Sequence, residues 1–232
     1  MRKARFRKHL PAFLLGLLLA PGLCLAGSVT GKVVLSGPAP ASKKVPVTID
    51  QYVCGTEKDA EDLQLSPRKE IRDAVVWIEN PPPDAPWPGR DAKVEVDQRA
   101  CDFIPHVVLV PAGGTVYFLN SDRLLHNIHA KPKLNVSFNR TQPKSRTIPV
   151  TFAKPEIVHI NCDLHSWMSN WVVVMAHPFY AITGADGKFT FNGLPAGRYT
   201  LHVWQERLGE VRQTVTVSEA ASAPVTVKMK AP

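Results

Sequence analysis

The chain has 232 residues, with 28 Lys+Arg against 20 Asp+Glu and a formal net charge of +8. Five of the positive charges (Arg2, Lys3, Arg5, Arg7 and Lys8) crowd the extreme N-terminus, and without them the balance falls to 23 against 20. The basic character is therefore poor grounds for a nucleic-acid ligand, and about 200 further residues allow one large or two small domains.

The five cations are followed by an apolar run from Phe13 to Ala20 and by Cys24-Leu25-Ala26, which ends on a small residue. This is the pattern of a cleaved secretory signal, residues 1–26, with the mature chain starting at Gly27. The apolar run is too short to span a bilayer, so no transmembrane anchor is expected. The signal lacks a paired arginine and suits the Sec route, which predicts a periplasmic or secreted protein. A lipoprotein acylated at Cys24 is the alternative, disfavoured by the bulky Leu23 before it.

Past Gly27 the chain reads as short strands set between turn residues. They are predicted at 28–35, 74–79, 93–96, 106–110, 115–119, 147–152, 156–160, 171–175, 188–191, 199–204, 211–217 and 224–229. These runs are rich in Val, Ile and Phe and bounded by Gly, Pro, Asn or Asp. No long segment shows a 3.6-residue period. Many strands without alternating helices predict an all-β sandwich or barrel. Pro81, Pro82, Pro83, Pro86 and Pro88 make residues 81–90 a stiff linker and a natural boundary.

Three cysteines follow the signal: Cys54, Cys101 and Cys162. In an oxidising compartment thiols usually pair, and an odd one needs a reason. Pairing Cys54 with Cys101 leaves Cys162 as a thiolate; two buried free thiols are the alternative. Cys162 opens the run Cys162-Asp163-Leu164-His165-Ser166-Trp167-Met168, and His126 lies upstream in Asp122-Arg123-Leu124-Leu125-His126-Asn127. One thiolate, two imidazoles and one thioether are a soft donor set, and two His and one Cys with a weak axial Met are what copper uses for electron transfer. Cys-x₂-His could instead be half of a zinc site. Zinc seldom takes a thioether, however, and no Cys-x₂-Cys partner exists. A binuclear copper centre would need a second Cys in the loop. His129 is the rival first ligand, although three residues along a strand put it on the opposite face from His126. His106 and His177 read as structural or exposed, His159 as a strand residue too confined to reach a metal, and Trp167 as a cover for the site.

Residues 91–177 resemble the cupredoxins. The resemblance rests on Phe103 to Pro105, Val108 to Gly114, Val116 to Asn120 followed by His126-Asn127, and His159 to Met168 followed by Trp171 to Val174. The Cys-x₂-His-x₂-Met spacing is similar to that of amicyanin. The resemblance implies a Greek-key sandwich or barrel holding one copper per chain on His126, Cys162, His165 and Met168. The spacing further predicts that His126, from a neighbouring strand end, ties the two sheets together, and that Asn127 hydrogen-bonds near the thiolate and fixes the loop.

Thr183 to Leu201, with a hairpin turn at Asp186-Gly187, resembles the carboxypeptidase regulatory-like (transthyretin-like) β-sandwich. Val29 to Val34 resembles the start of such a repeat, and Ala74 to Ile78 its second strand. The resemblance implies a second, discontinuous sandwich, residues 27–80 plus 178–232, with the cupredoxin domain inserted. Separate N- and C-terminal segments flanking the cupredoxin are the alternative.

No phosphate-binding loop, zinc-protease helix or nucleophile elbow occurs, and the His-x-His clusters of a multicopper oxidase are missing, so no enzyme is expected. The expected function is one-electron transfer in the periplasm, with a cytochrome or a dehydrogenase as redox partner. Copper handling for tolerance or delivery is the alternative, and an adhesion module with a vestigial metal site is a third. Lys131, Lys133, Arg140, Lys144 and Arg146 lie in a stretch that reads as a surface loop near the metal end, which predicts an acidic partner.

Overall fold

A computed structural model describes residues 27–83, 85–218 and 224–231. The expected signal segment, residues 1–26 with Cys24, lies outside them. The N-terminal part carries β1 (Gly27–Ser36), β2 (Lys44–Pro46), helix α1 (Gln51–Cys54), β3 (Glu57–Asp59) and β4 (Val75–Ile78). The middle carries β5 (Val94–Arg99), β6 (Asp102–Ile104), β7 (Val107–Pro111), β8 (Gly114–Asn120), β9 (His126–Ala130), β10 (Phe138–Gln142), β11 (Ile148–Phe152), β12 (Glu156–Asn161) and β13 (Ser169–Met175). The last part carries β14 (Tyr180–Ile182), β15 (Lys188–Leu194), β16 (Gly197–Gln205), β17 (Gly209–Val217) and β18 (Val225–Lys230).

The chain is an all-β sandwich fold. Strands from both ends of the sequence form one pair of sheets, ordered β15-β1-β18 and β14-β4-β16-β17. Along β1 every second residue is buried, from Gly27 through Val29, Gly31 and Val33 to Leu35, as a half-buried strand requires. Of these, Val29, Val33 and Leu35 meet Ile71, Ile78, Leu194, Leu201 and Met229 in one core. Gly187 has φ of +67°, and a Cβ there would lie 2.7 Å from the Val33 carbonyl, so the turn into β15 needs glycine.

The middle strands form a second pair of sheets, ordered β10-β9-β12-β13-β7 and β11-β8-β5-β6. Their core holds Val96, Phe103, Phe118, Ile128, Phe152 and Ile160, with Cys162 and Met168 in the same cluster. The chain leaves the first pair of sheets after β4 and returns on β14, its antiparallel hydrogen-bonded neighbour, with Trp77 opposite Tyr180. Exit and re-entry on adjacent strands let a large segment sit between them without disturbing the host sheet.

A third apolar cluster joins the two pairs of sheets: Val75 and Trp204 from one side, Val107, Val173 and Met175 from the other. His106 clamps it. Its Nε2 bonds Glu206 at 2.5 Å, and Glu206 also accepts from Trp171 Nε1 at 2.5 Å. Burial opposes a charge on His106, but Glu206 and Glu61 outweigh it and hold the imidazole at a pKa of about 10. His106 is therefore an imidazolium locked in an interface.

Six strands, β2, β3, β6, β9, β10 and β14, were not legible in the hydrophobic pattern. β9 and β10 read His-Asn-Ile-His-Ala and Phe-Asn-Arg-Thr-Gln. Their polar side chains point to the candidate site or to solvent, so periodicity has little to report. The stretch holding Arg140 has the sequence of a surface loop, but it is a hairpin whose second arm is β10, with Arg140 opposite Ile128.

Candidate metal centre

Cys162 follows directly on β12, and Ser169 opens β13, its antiparallel partner, with Asn161 opposite Ser169. The seven residues between are therefore a tight connection. Met168 N–H donates to the His165 carbonyl at 2.9 Å, and Cys162 N–H to the Met168 carbonyl at 3.3 Å. His126 opens β9, which neighbours β12 in the same sheet. His126 therefore shares its sheet with the strand leading to Cys162, and it reaches the other sheet through its hydrogen bond to Asp122. The tie comes from Asp122, in the loop that leaves β8 of the other sheet.

Cys162 Sγ lies 4.0 Å from His126 Nδ1 and 3.6 Å from His165 Nδ1, and the two Nδ1 atoms are 2.9 Å apart. A triangle with these sides is acute, and its centre lies about 2.1 Å from each vertex, within the usual range of roughly 2.0–2.3 Å for bonds from a first-row metal to imidazole nitrogen and thiolate sulfur. His126, Cys162 and His165 are all buried, and Met168 is buried in the same core cluster as Cys162.

The other nitrogen of each imidazole explains what the centre needs. His126 Nε2 meets Asp122 Oδ2 at 2.9 Å, and His165 Nε2 meets Asp50 Oδ2 at 3.1 Å. A carboxylate only accepts, so each Nε2 carries the hydrogen. With the hydrogen on Nε2, the two Nδ1 lone pairs face each other at 2.9 Å, beside a sulfur. Lone pairs so placed repel unless a cation lies between them. Burial pushes the His126 imidazole below its ordinary value, against the pull of Asp122, which keeps it available as a neutral ligand. The donor set, its spacing and its outer carboxylates fit a soft transition-metal ion, in the pattern by which outer carboxylates fix metal-binding histidines.

Asp50 and Asp122 were not foreseen. Asp122 had a faint signal, four residues before His126. Asp50 had none, because it lies 115 residues from His165 in sequence. Asp122 also accepts from the backbone N–H groups of Ala100 and Cys101, at 2.7 and 2.8 Å. Those two residues have φ of 53° and 58°, so the carboxylate holds a strained turn.

Asn127 reaches the ligand loop, but one residue beyond the sulfur. Its Oδ1 accepts from Asp163 N–H at 2.6 Å, and its Nδ2 donates to the Asp163 carboxylate at 3.0 Å. His129 faces away from the cluster and bonds Asp163 Oδ1 at 2.8 Å. His159 stacks on Trp171 and bonds Ser169 Oγ. Trp167 lies edge-on to His165 and donates to the Cys101 carbonyl at 3.1 Å. His177 accepts from Phe179 N–H.

Cys54 and Cys101 are disulfide-bonded, 47 residues apart, and Cys162 is the free cysteine among the described residues. The bond ties α1 and Asp50 over His165. Among the described residues no helix is long and apolar enough to cross a membrane.

A family model for the carboxypeptidase regulatory-like domain matches residues 168–230. The match starts at Met168 and includes β13, while β1 and β4, which complete the two outer sheets, lie outside it. No curated protein matches. Amicyanin from Paracoccus versutus is a similar solved structure, at 21% identity over 43% of this chain and 97% of that one, with a TM-score of 0.34. The purple cupredoxin from Nitrosopumilus maritimus is 20% identical over 36% of this chain and 100% of its own, with a TM-score of 0.32. The copper-containing nitrite reductase from Thermus scotoductus SA-01 is 23% identical over 37% of this chain, with a TM-score of 0.32, and the match spans 23% of its length.

Proposed function

We propose that the protein is a mononuclear copper protein of the periplasm that passes one electron at a time. His126, Cys162 and His165 would hold the metal, with the Met168 thioether as weak fourth donor. The observation that carries this reading is the triangle of Sγ and two Nδ1 atoms, with sides of 2.9, 3.6 and 4.0 Å. Bound copper would supply a one-electron couple between Cu(I) and Cu(II). Asp50 and Asp122 hold both imidazoles in one tautomer and one orientation, and the short Cys162 loop leaves the sulfur little freedom. Such pre-set donors rearrange little when the charge at the centre changes. Burial of the site keeps water out. No catalytic turnover is assigned to the chain.

Copper handling would use the same donors. The disulfide-tied segment over His165 favours a retained ion over a rapidly exchanged one. Titration of the purified protein with Cu(II) tests the reading. One copper per chain and an intense visible thiolate-to-Cu(II) absorption are expected, lost in Cys162→Ser while far-ultraviolet circular dichroism is unchanged. A reversible one-electron wave would set electron transfer apart from handling, and a colourless loaded wild type would overturn the assignment.

A further inference from the structure

The two sulfurs of the Cys54–Cys101 disulfide and a ring nitrogen of His165 lie within 4.8 Å of one another, and all three residues are buried. Each half of the disulfide is also wired to a ligand histidine. Cys54 N–H donates to the Asp50 carbonyl at 3.0 Å, and the Asp50 carboxylate accepts from His165 Nε2. Cys101 N–H donates to the Asp122 carboxylate, whose same oxygen accepts from His126 Nε2. A disulfide serving only as a staple has no need to stand against the metal-binding ring.

We propose that Cys54 and Cys101, once reduced, are a second soft-metal site that shares His165 with the first. The disulfide accepts two electrons and two protons from a dithiol, which itself closes to a disulfide, and the Cys54–Cys101 S–S bond opens to two thiols. Binding of a soft cation such as Cu(I) or Cd(II) then releases those two protons and sets two thiolates beside one imidazole. The segment bearing Asp50, no longer tied to Cys101, is free to lift from His165. The oxidised pair closes the first site, and the reduced pair offers its occupant another set of donors. The idea rests on the copper reading only in sharing His165.

The test uses the full mature chain carrying Cys162→Ala, which removes the first site and keeps the disulfide. Cd(II) is titrated before and after reduction by a phosphine, which becomes the phosphine oxide. The reduced protein should bind one Cd(II) with a new ultraviolet thiolate-to-metal absorption, at least about tenfold more tightly than the oxidised protein. Adding His165→Ala should weaken that binding by at least about tenfold. Replacing Cys54 and Cys101 by Ser should abolish it. No gain in Cd(II) affinity on reduction, binding that survives in the double Ser variant, binding indifferent to His165→Ala, or loss of the native circular dichroism on reduction would each overturn the proposal. Those outcomes leave a coloured Cu(II) wild type untouched, and a colourless wild type leaves a positive Cd(II) result untouched, so the two readings fail separately.

Discussion

Asp50 accepts a hydrogen bond from His165 Nε2 at 3.1 Å, across 115 residues of sequence. The contact links the short helical segment α1 to the ligand loop and places a carboxylate behind one of the two imidazoles of the candidate site. Asp50 itself has a φ of 51°, so glycine can replace it without backbone cost. Asp50→Gly should lower copper affinity by about 10–100-fold, the usual effect of losing an outer carboxylate. Chelator competition would measure it. Asp50→Asn keeps an acceptor oxygen and should lose less. Equal affinities for Asp50→Gly and wild type would show that the carboxylate does not orient the ring.

Asp122 serves three donors with two oxygens: Ala100 N–H, Cys101 N–H and His126 Nε2. An asparagine brings one oxygen and an amide that donates, so at least one of the three is left unpaired in a buried site. Asp122→Asn should cost about 1–3 kcal/mol in denaturant unfolding of the metal-free protein, together with a loss of copper affinity. Asp50→Gly should lose affinity with little change in stability, because Asp50 is partly exposed and bonds no strained turn. A metal-free Asp122→Asn as stable as wild type would contradict the account of the turn.

His106 gives a pH dependence. Its folded-state pKa of about 10 lies above the ordinary 6.5. The stability it contributes is fully present below about pH 6.5 and is lost as pH rises through about 10. Unfolding at pH 6 and pH 10 should show the wild type losing a few kcal/mol more than His106→Gln over that interval. Parallel curves for the two proteins would mean that the His106–Glu206 contact adds no net stability.

The disulfide closes a loop of 47 residues. Chain entropy alone gives that closure about 4 kcal/mol. Replacing Cys54 and Cys101 by Ala should lower unfolding stability by that order while leaving both sandwich cores folded. A change near zero would mean that the unfolded chain gains little freedom on losing the bond.

The basic stretch divides in two. Gln142 pairs with His126 across the β9–β10 hairpin, which brings Lys144 and Arg146 to the metal end, whereas Lys131 and Lys133 follow Ala130 at the other end. Neutralising Lys144 and Arg146 should slow electron exchange with an acidic cytochrome and flatten its salt dependence, through loss of steering. Neutralising Lys131 and Lys133 should do less. Equal effects from the two pairs would separate charge steering from the metal end.

The all-β class, the Cys162, His165 and Met168 loop, and the turn at Asp186-Gly187 were legible because each is a local pattern of spacing or alternation. For the first ligand the sequence offers two candidates three residues apart, His126 and His129. Face alternation favours the former, and the structure turns the latter toward Asp163. The polar strands β9 and β10 were not legible, since their pairing comes from neighbours distant in sequence rather than from apolar period.

The sequence by itself determined which atoms could serve as ligands and that three of them lie within one short loop between strands. Only the tertiary structure decided which nitrogen of each histidine faces the sulfur. That choice is made by Asp50 and Asp122, which approach His165 and His126 from different chain segments, each joined to one half of the Cys54–Cys101 bond. A tautomer is set by the partner on the far side of the ring, and no spacing along the chain records where that partner will be.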